Sequence, residues 1–168
     1  MINSILRFSI IFILLILLQV VLFDNIQFSG YVNPYVYIMF ILLLPMEIPS
    51  WVLLLLSFIT GLIMDFFLGS PGMHTFATVL TGFVRPTILS VISPRDGYEP
   101  RSEPSLLAYG FRWFLIYTIL AVLVHHTALF YIEVFRFSYF FRTLLRVLLS
   151  SVFTVTFILL IEFYRRGR

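Results

Sequence analysis

Apolar stretches of about 20 residues, long enough to cross a hydrocarbon core of about 30 Å as helices, recur along nearly the whole of this 168-residue chain. They constrain the fold more than any motif does. Inside hydrocarbon every backbone N–H and C=O must find its partner within the protein, which commits each stretch to helix. Hydrophobic residues make up 61% of the chain and charged ones 11%, too little polar surface to clothe a water-soluble globule of this size. The expected class is an all-α integral membrane protein, a single transmembrane domain over residues 1–168. Cysteine is absent, which removes disulfides, thiolate metal sites and cysteine nucleophiles.

Polar punctuation divides the chain into six expected spans. The first covers about 5–23, after Arg7; it lacks the small residues of a cleavage site and reads as a retained helix rather than a signal peptide. A polar loop from Asp24 to Asn33 follows. The second span, about 34–46, is short and is interrupted by Pro45, Glu47 and Pro49. The third covers 50–68, and the turn Gly69 to Gly72 separates it from the fourth, 73–92. "SPRDGYEPRSEP", residues 93–104, is a solvated loop of mixed charge. The fifth span, about 105–132, exceeds what the bilayer needs at 1.5 Å per residue and must tilt or project. The sixth covers about 143–164.

Arginine supplies every basic residue. An even number of spans puts both termini on one side, and cytoplasmic termini would place Arg7, Arg85, Arg95, Arg101, Arg112, Arg165, Arg166 and Arg168 on or toward the inner side. Only Arg136, Arg142 and Arg146 then face outward. The positive-inside rule favours that orientation, with both termini cytoplasmic. A net charge of +3 spread over helix ends suits anionic lipid headgroups and calls for no nucleic acid.

"GLIMDFFLGSPGMH", residues 61–74, concentrates the polar surprises. Asp65 lies about 22 Å along an outward-running helix, near the outer boundary, and His74 starts the returning helix at similar depth. The carboxylate can accept from the imidazole across the turn, offsetting the cost of a charge in the bilayer. Gly61, one turn before Asp65 on the same face, gives a neighbouring helix room to approach. Asp65 either caps and orients this corner or recognises a partner or ligand. Arg85 lies about 18 Å in from the outer end of its helix, too deep to be the mate of Asp65. It either snorkels inward, pairs with Glu47 or lines a cavity, and Pro86 behind it invites a kink.

Catalytic and metal constellations are not expected. His125 and His126 diverge by about 100° on a helix and cannot easily clasp one ion. Only Asp65, His74 and one of the pair can converge, and nothing demands a metal or other cofactor. Ser57 and Ser150 lack a Gly-x-Ser-x-Gly setting, a Ser–Lys dyad is impossible without lysine, and a lone intramembrane carboxylate cannot make an aspartate pair. No enzyme is expected.

Aromatic residues reach 18%. Tyr31, Tyr35 and Tyr37 cluster at one outer boundary, and Phe130, Tyr131, Phe135, Phe137, Tyr139, Phe140 and Phe141 at another, as belts that anchor helices at the headgroups. Residues 131–146 also read as an outer partner surface, with Arg142 and Arg146 on one face and Glu133 within reach of Arg136.

The run Gly61, Asp65, Phe67, Gly69, Ser70, Pro71, Gly72, Met73, His74, followed by Arg85-Pro86, resembles the MreD family of rod shape-determining proteins, in particular its Bacteroidetes forms. Size, six spans, the mixed loop before the fifth and the arginine-rich tail are similar too. The order of charges over residues 94–104 departs from any pattern of the family. The resemblance implies a non-enzymatic inner-membrane component of the cell-elongation complex. Its partners would be an MreC-like bitopic protein, an MreB-like filament, a RodA-like glycosyltransferase and a class B transpeptidase, besides membrane lipid. Candidate partner-binding residues on that reading are Gly61, Asp65, Gly69, Gly72, His74, Arg85, Arg136, Arg142 and Arg146. The family is also held to share its six-helix fold with the S components of energy-coupling-factor vitamin transporters. That likeness implies the alternative, a small-molecule binding subunit, whose outer polar candidates are Asp65, His74, His125, His126, Arg142 and Arg146.

Overall fold

The computed structural model describes residues 2–24, 32–99, 102–134 and 140–166, and every regular element among them is helical. Helix α1, Ile2–Leu18, continues into one π-helical turn, Gln19–Phe23. A 3-10 turn at Val36–Ile38 leads into the short α2, Met39–Leu43. Then come α3 (Ser50–Leu68), α4 (Met73–Val91), α5 (Leu106–Val134) and α6 (Phe140–Arg166). Helices α3 to α6 pack in chain order, each on the next, while α1 lies against α2 and the 3-10 turn.

Four helices are long and apolar enough to cross a membrane: Ile5–Phe23, α3, α5 and Phe140–Arg165. The chain is thus a membrane-embedded helical protein. Helix α4 matches α3 in length, 19 residues each, but buries a polar stripe of His74, Thr78, Thr81 and Arg85 and does not belong to the four.

The second expected span, 34–46, takes another form. Residues 36–43 rise only about 12 Å as helix, less than half a hydrocarbon core. All side chains from Val36 to Leu44 are buried, with at most 5% exposure. This segment is therefore the axis around which the other helices pack, shielded from lipid on all sides. Pro34 and Pro45 bracket it and deny it further helical N–H donors at either end.

The boundaries of α3 follow local chemistry. Pro49 sits outside helical geometry at φ −55°, ψ 135°, and Gly69 terminates the helix in the left-handed region at φ 64°. Gly72, at φ 82°, turns the chain into α4. Helices α3 and α4 approach backbone to backbone at Gly61, where a Cβ would lie 2.8 Å from the carbonyl oxygen of His74 and the amide nitrogen of Thr75. Both obstacles are backbone, so relief needs a shift of a whole helix. Gly61→Ala is expected to destabilise the protein by about 1–3 kcal/mol, read as a lower unfolding midpoint in detergent. An unchanged midpoint would show that the two helices slide apart freely.

Gly110, at φ 81° and ψ 165°, breaks α5 near its start, so the continuous helix is 111–134. The excess length expected of this span is absorbed by that break. At this end of the bundle Arg7 pairs with Glu103, the Met46 amide donates to the Ser102 carbonyl at 3.1 Å, and the rings of Phe111 and Phe163 lie 6.3 Å apart. The start of α1 and the end of α6 therefore share one end of the bundle.

Candidate functional site: a polar cavity beside a broken helix

Asp65 ends up on the buried side of α3, where the αL turn at Gly69 folds the chain back over it. Its Oδ1 accepts from the Ser70 hydroxyl at 2.7 Å and the His74 amide at 2.9 Å. Its Oδ2 accepts from the amide and hydroxyl of Thr75 at 2.9 and 2.6 Å. The carboxylate thus caps the first turn of α4, supplying orphan amides with an acceptor and its N-terminal dipole with a negative charge. The imidazole of His74 is not its partner, contrary to expectation; only the backbone of His74 is.

The short α2 poses the larger problem, because both of its ends lie inside the bundle. Neighbouring side chains solve it. Gln19 Oε1 accepts from the amides of Val36 and Tyr37 at 2.7 and 3.4 Å, while its Nε2 donates to the Pro34 carbonyl at 3.1 Å. The amides of Asn33 and Tyr35 donate to the hydroxyls of Ser150 and Thr154, each at 3.0 Å. At the other end Arg85 donates to the carbonyls of Leu44 and, at 3.4 Å, Pro45. Its Nε donates to the Tyr117 hydroxyl at 2.7 Å, which in turn donates to the Leu42 carbonyl at 3.1 Å. Arg85, 1% exposed, neither snorkels nor pairs with Glu47, which is exposed. It places a cation at the negative end of a helix dipole.

Three histidines meet between these caps. The Tyr37 hydroxyl lies 2.9 Å from His74 Nδ1 and 2.8 Å from His125 Nε2. His125 and His126 approach Nδ1 to Nδ1 at 3.4 Å, and His126 Nε2 lies 3.0 Å from the Thr154 hydroxyl. Adjacent on their helix, the two rings keep their Nδ1 edges together while their Nε2 atoms reach different neighbours, Tyr37 and Thr154. Tyr37 is wholly buried and so belongs to the core, where the sequence suggested an aromatic belt. Phe130 is core as well, while Phe140 and Phe141 are exposed. Among the described residues no group of three or more histidine and acidic side chains has the geometry of a metal site.

His74 separates this cluster from a cavity of about 420 Å³ at the end of the bundle opposite Arg7. The ends of α1, α3 and α5, the turn into α4, and α6 line it with Asp24, Asn33, Ser70, His74, Glu133 and Arg146. Arg146 pairs with Glu133 at 2.9 Å and stacks on the Phe130 ring, its guanidinium carbon 4.3 Å from the centroid. With its amide turned to satisfy both its neighbours, Asn33 accepts from Arg146 Nη2 at 2.6 Å. Glu133 takes Arg146 as partner, where the spacing suggested Arg136. Arg136, Arg101, Arg168, Tyr31, Phe135, Phe137 and Tyr139 lie outside the described residues. Arg142 is exposed on α6; Gly61 and Gly72 shape the corner away from the cavity, and Gly69 lines it.

Gln19, Tyr37, Thr154 and Tyr117 were not among the expected site residues. Gln19 carried a signal, an amide alone in "LLILLQVVLF", which in a span must bond to something. No protein-family model matches this chain, and no curated protein or solved structure matches it either.

Proposed function

We propose that the chain is a non-enzymatic, inner-membrane component of the cell-elongation machinery, holding an MreC-like bitopic protein together with peptidoglycan synthases through its helix surfaces. The observation that carries this reading is that the residues of the resemblance form one connected unit. Asp65 is tied to Ser70, His74 and Thr75, and Gly61 packs on the backbone of His74 and Thr75. His74 reaches Tyr37 just before α2, and Arg85 closes the end of α2. A motif scattered by chance over apolar helices has no reason to assemble so. The same unit positions the large apolar faces left outside, among them Trp51, Phe66, Phe83 and Phe141, against lipid or partner helices. On this reading six membrane segments count α4 and the buried α2, and both termini are cytoplasmic under the positive-inside rule.

A second reading, a small-molecule binding subunit akin to a vitamin-transporter S component, is favoured by one feature. The cavity beside His74 lies at the end that this orientation makes external, and its polar lining is richer than the sequence inventory suggested. In-cell cross-linking followed by mild-detergent pull-down and mass spectrometry separates the two. Recovery of an MreC-like protein with a RodA-like glycosyltransferase and a class B transpeptidase is the expected result. An ATPase module or a retained stoichiometric vitamin would overturn it in favour of the second reading.

A further inference from the structure

Helices α1 and α3 come together toward the C-terminal end of α1, where Ile16, Tyr37 and Met64 form one buried cluster. Toward its N-terminal end they splay apart around an apolar groove of about 640 Å³, within the range of about 300–1,000 Å³ of pockets that hold small ligands. Phe8, Phe12 and Ile13 form one wall; Leu56, Ile59 and Thr60 form the other. Phe40 and Leu44 of the buried central strip make the floor, so the shield around that strip is thinnest here. The Phe12 and Phe40 rings, 4.8 Å apart, prop the walls open. In a bilayer, hydrocarbon must fill such a gap, since an empty one forfeits the contacts of its lining.

Length identifies the hydrocarbon. Ile5 to Ile13 rises about 12 Å and Ser50 to Thr60 about 15 Å, close to the depth of one leaflet, half a core of about 30 Å. A partner helix crossing the whole membrane would find the groove open over that half alone. It would also meet bulky walls, with Ser9 and Thr60 the only small residues where close helix pairs use several. The floor and the α3 wall offer a polar ligand nothing. The Thr60 hydroxyl donates to the Leu56 carbonyl at 2.7 Å, and the carbonyls of Leu44 and Pro45 are taken by Arg85.

A cation sits at the mouth. The Arg7 guanidinium lies over the Phe8 ring, 4.9 Å from its centroid, and pairs with Glu103 through Nη2. With its side chain 46% exposed, it keeps accessible N–H groups for a second oxyanion. We propose that the groove seats one acyl chain of a phospholipid from the leaflet on the side of the described N-terminal end of α1, with the phosphodiester of that lipid on Arg7.

The full chain, in phosphatidylcholine nanodiscs and in native membranes, is photolabelled with two probes that carry the same diazirine acyl chain. One is a phosphatidylcholine; the other is a diacylglycerol, which lacks the phosphate. Peptide mass spectrometry maps the adducts. Phe66 and Val152, 83% and 63% exposed on outer faces, serve as the reference for bulk lipid. Phe40, 5% exposed, is reached only through the groove. Relative to that reference, phosphatidylcholine is expected to label Phe12 and Phe40 about tenfold more than the diacylglycerol does, the ratio for one hydrogen bond to a charged group. Arg7→Gln is expected to bring the two probes level, and an exposed ion pair contributes too little for its loss to unfold the chain. Ile13→Trp combined with Ile59→Trp fills the groove from exposed rim positions. It is expected to remove the Phe40 adducts of both probes while Phe66 and Val152 stay labelled. Phe40 unlabelled in nanodiscs would overturn the proposal, and two chains per disc would then name a second copy as the occupant. Phe40 labelled in nanodiscs but protected in native membranes would overturn it in favour of a partner helix. Equal labelling of Phe40 by both probes in the parent chain would overturn the role of Arg7.

Discussion

Arg85→Met should lower the stability of the protein by about 3–5 kcal/mol, a fall in the unfolding midpoint on the order of 10 °C for a chain of this size. Methionine fills similar space and removes a buried charge, which in isolation would help. The partners decide the sign. The carbonyls of Leu44 and Pro45 and the Tyr117 hydroxyl stay where they are, buried or half-buried, once the guanidinium is gone. Each orphaned group costs about 1–3 kcal/mol. The Leu42 carbonyl keeps its bond only if Tyr117, no longer anchored by Arg85, holds its orientation. Arg85→Lys is the informative companion, since an ammonium restores the charge at the end of α2 but cannot span three acceptors in the fixed fork of a guanidinium. It should recover part of the loss. A methionine variant as stable as the parent would mean that the end of α2 finds water or another donor, and the capping account of Arg85 would be wrong.

Why Arg85 escaped a sequence reading is physical. A side chain that pairs with carboxylates leaves two charged letters to match, but one that pairs with carbonyls leaves only its own. Glu47 was the available letter, and it points to solvent. The same holds for α2. "YVYIMFILLLP" is apolar at every spacing, so its periodicity cannot distinguish a lipid-facing span from a strip enclosed by protein. The two prolines shortened it correctly, but the enclosure depends on five other segments.

By contrast α3 was legible to the residue. Pro49 and Gly69 are local instructions, and helix ends dictated by backbone chemistry need no tertiary knowledge. That Asp65 is bonded within its own corner was legible too, because an aspartate among phenylalanines needs some partner nearby in the chain. Its partners were not, since the backbone amides of His74 and Thr75 are invisible in sequence while the imidazole is not. Tyr37 shows the converse error. Tyrosines near a span end usually mark the headgroup level, and only the arrival of His74 from α4 and His125 from α5 turns this one into the hub of the core.

Asp65→Asn separates architecture from recognition at that corner. The substitution keeps shape and one acceptor oxygen but sets an NH2 group against two donors. Hydroxyls of Ser70 or Thr75 can rotate away; the amides of His74 and Thr75 cannot, and one of them must face the new NH2 across about 2.9 Å. Loss of a charge-assisted cap and an opposed donor pair together should cost about 2–4 kcal/mol. Rewinding the first turn of α4 would also displace His74 from Tyr37, so the damage should spread to the histidine cluster. If Asp65 acts in the elongation complex, it does so by holding this surface in shape, because all four of its bonds are made within the chain. Recovery of the MreC-like partner should then fall in step with folded yield. It should return when a stabilising substitution elsewhere restores that yield. Complex recovery and cell shape that stay normal in Asp65→Asn would remove the corner from the partner interface, and recovery lost at full folded yield would make Asp65 a contact residue after all.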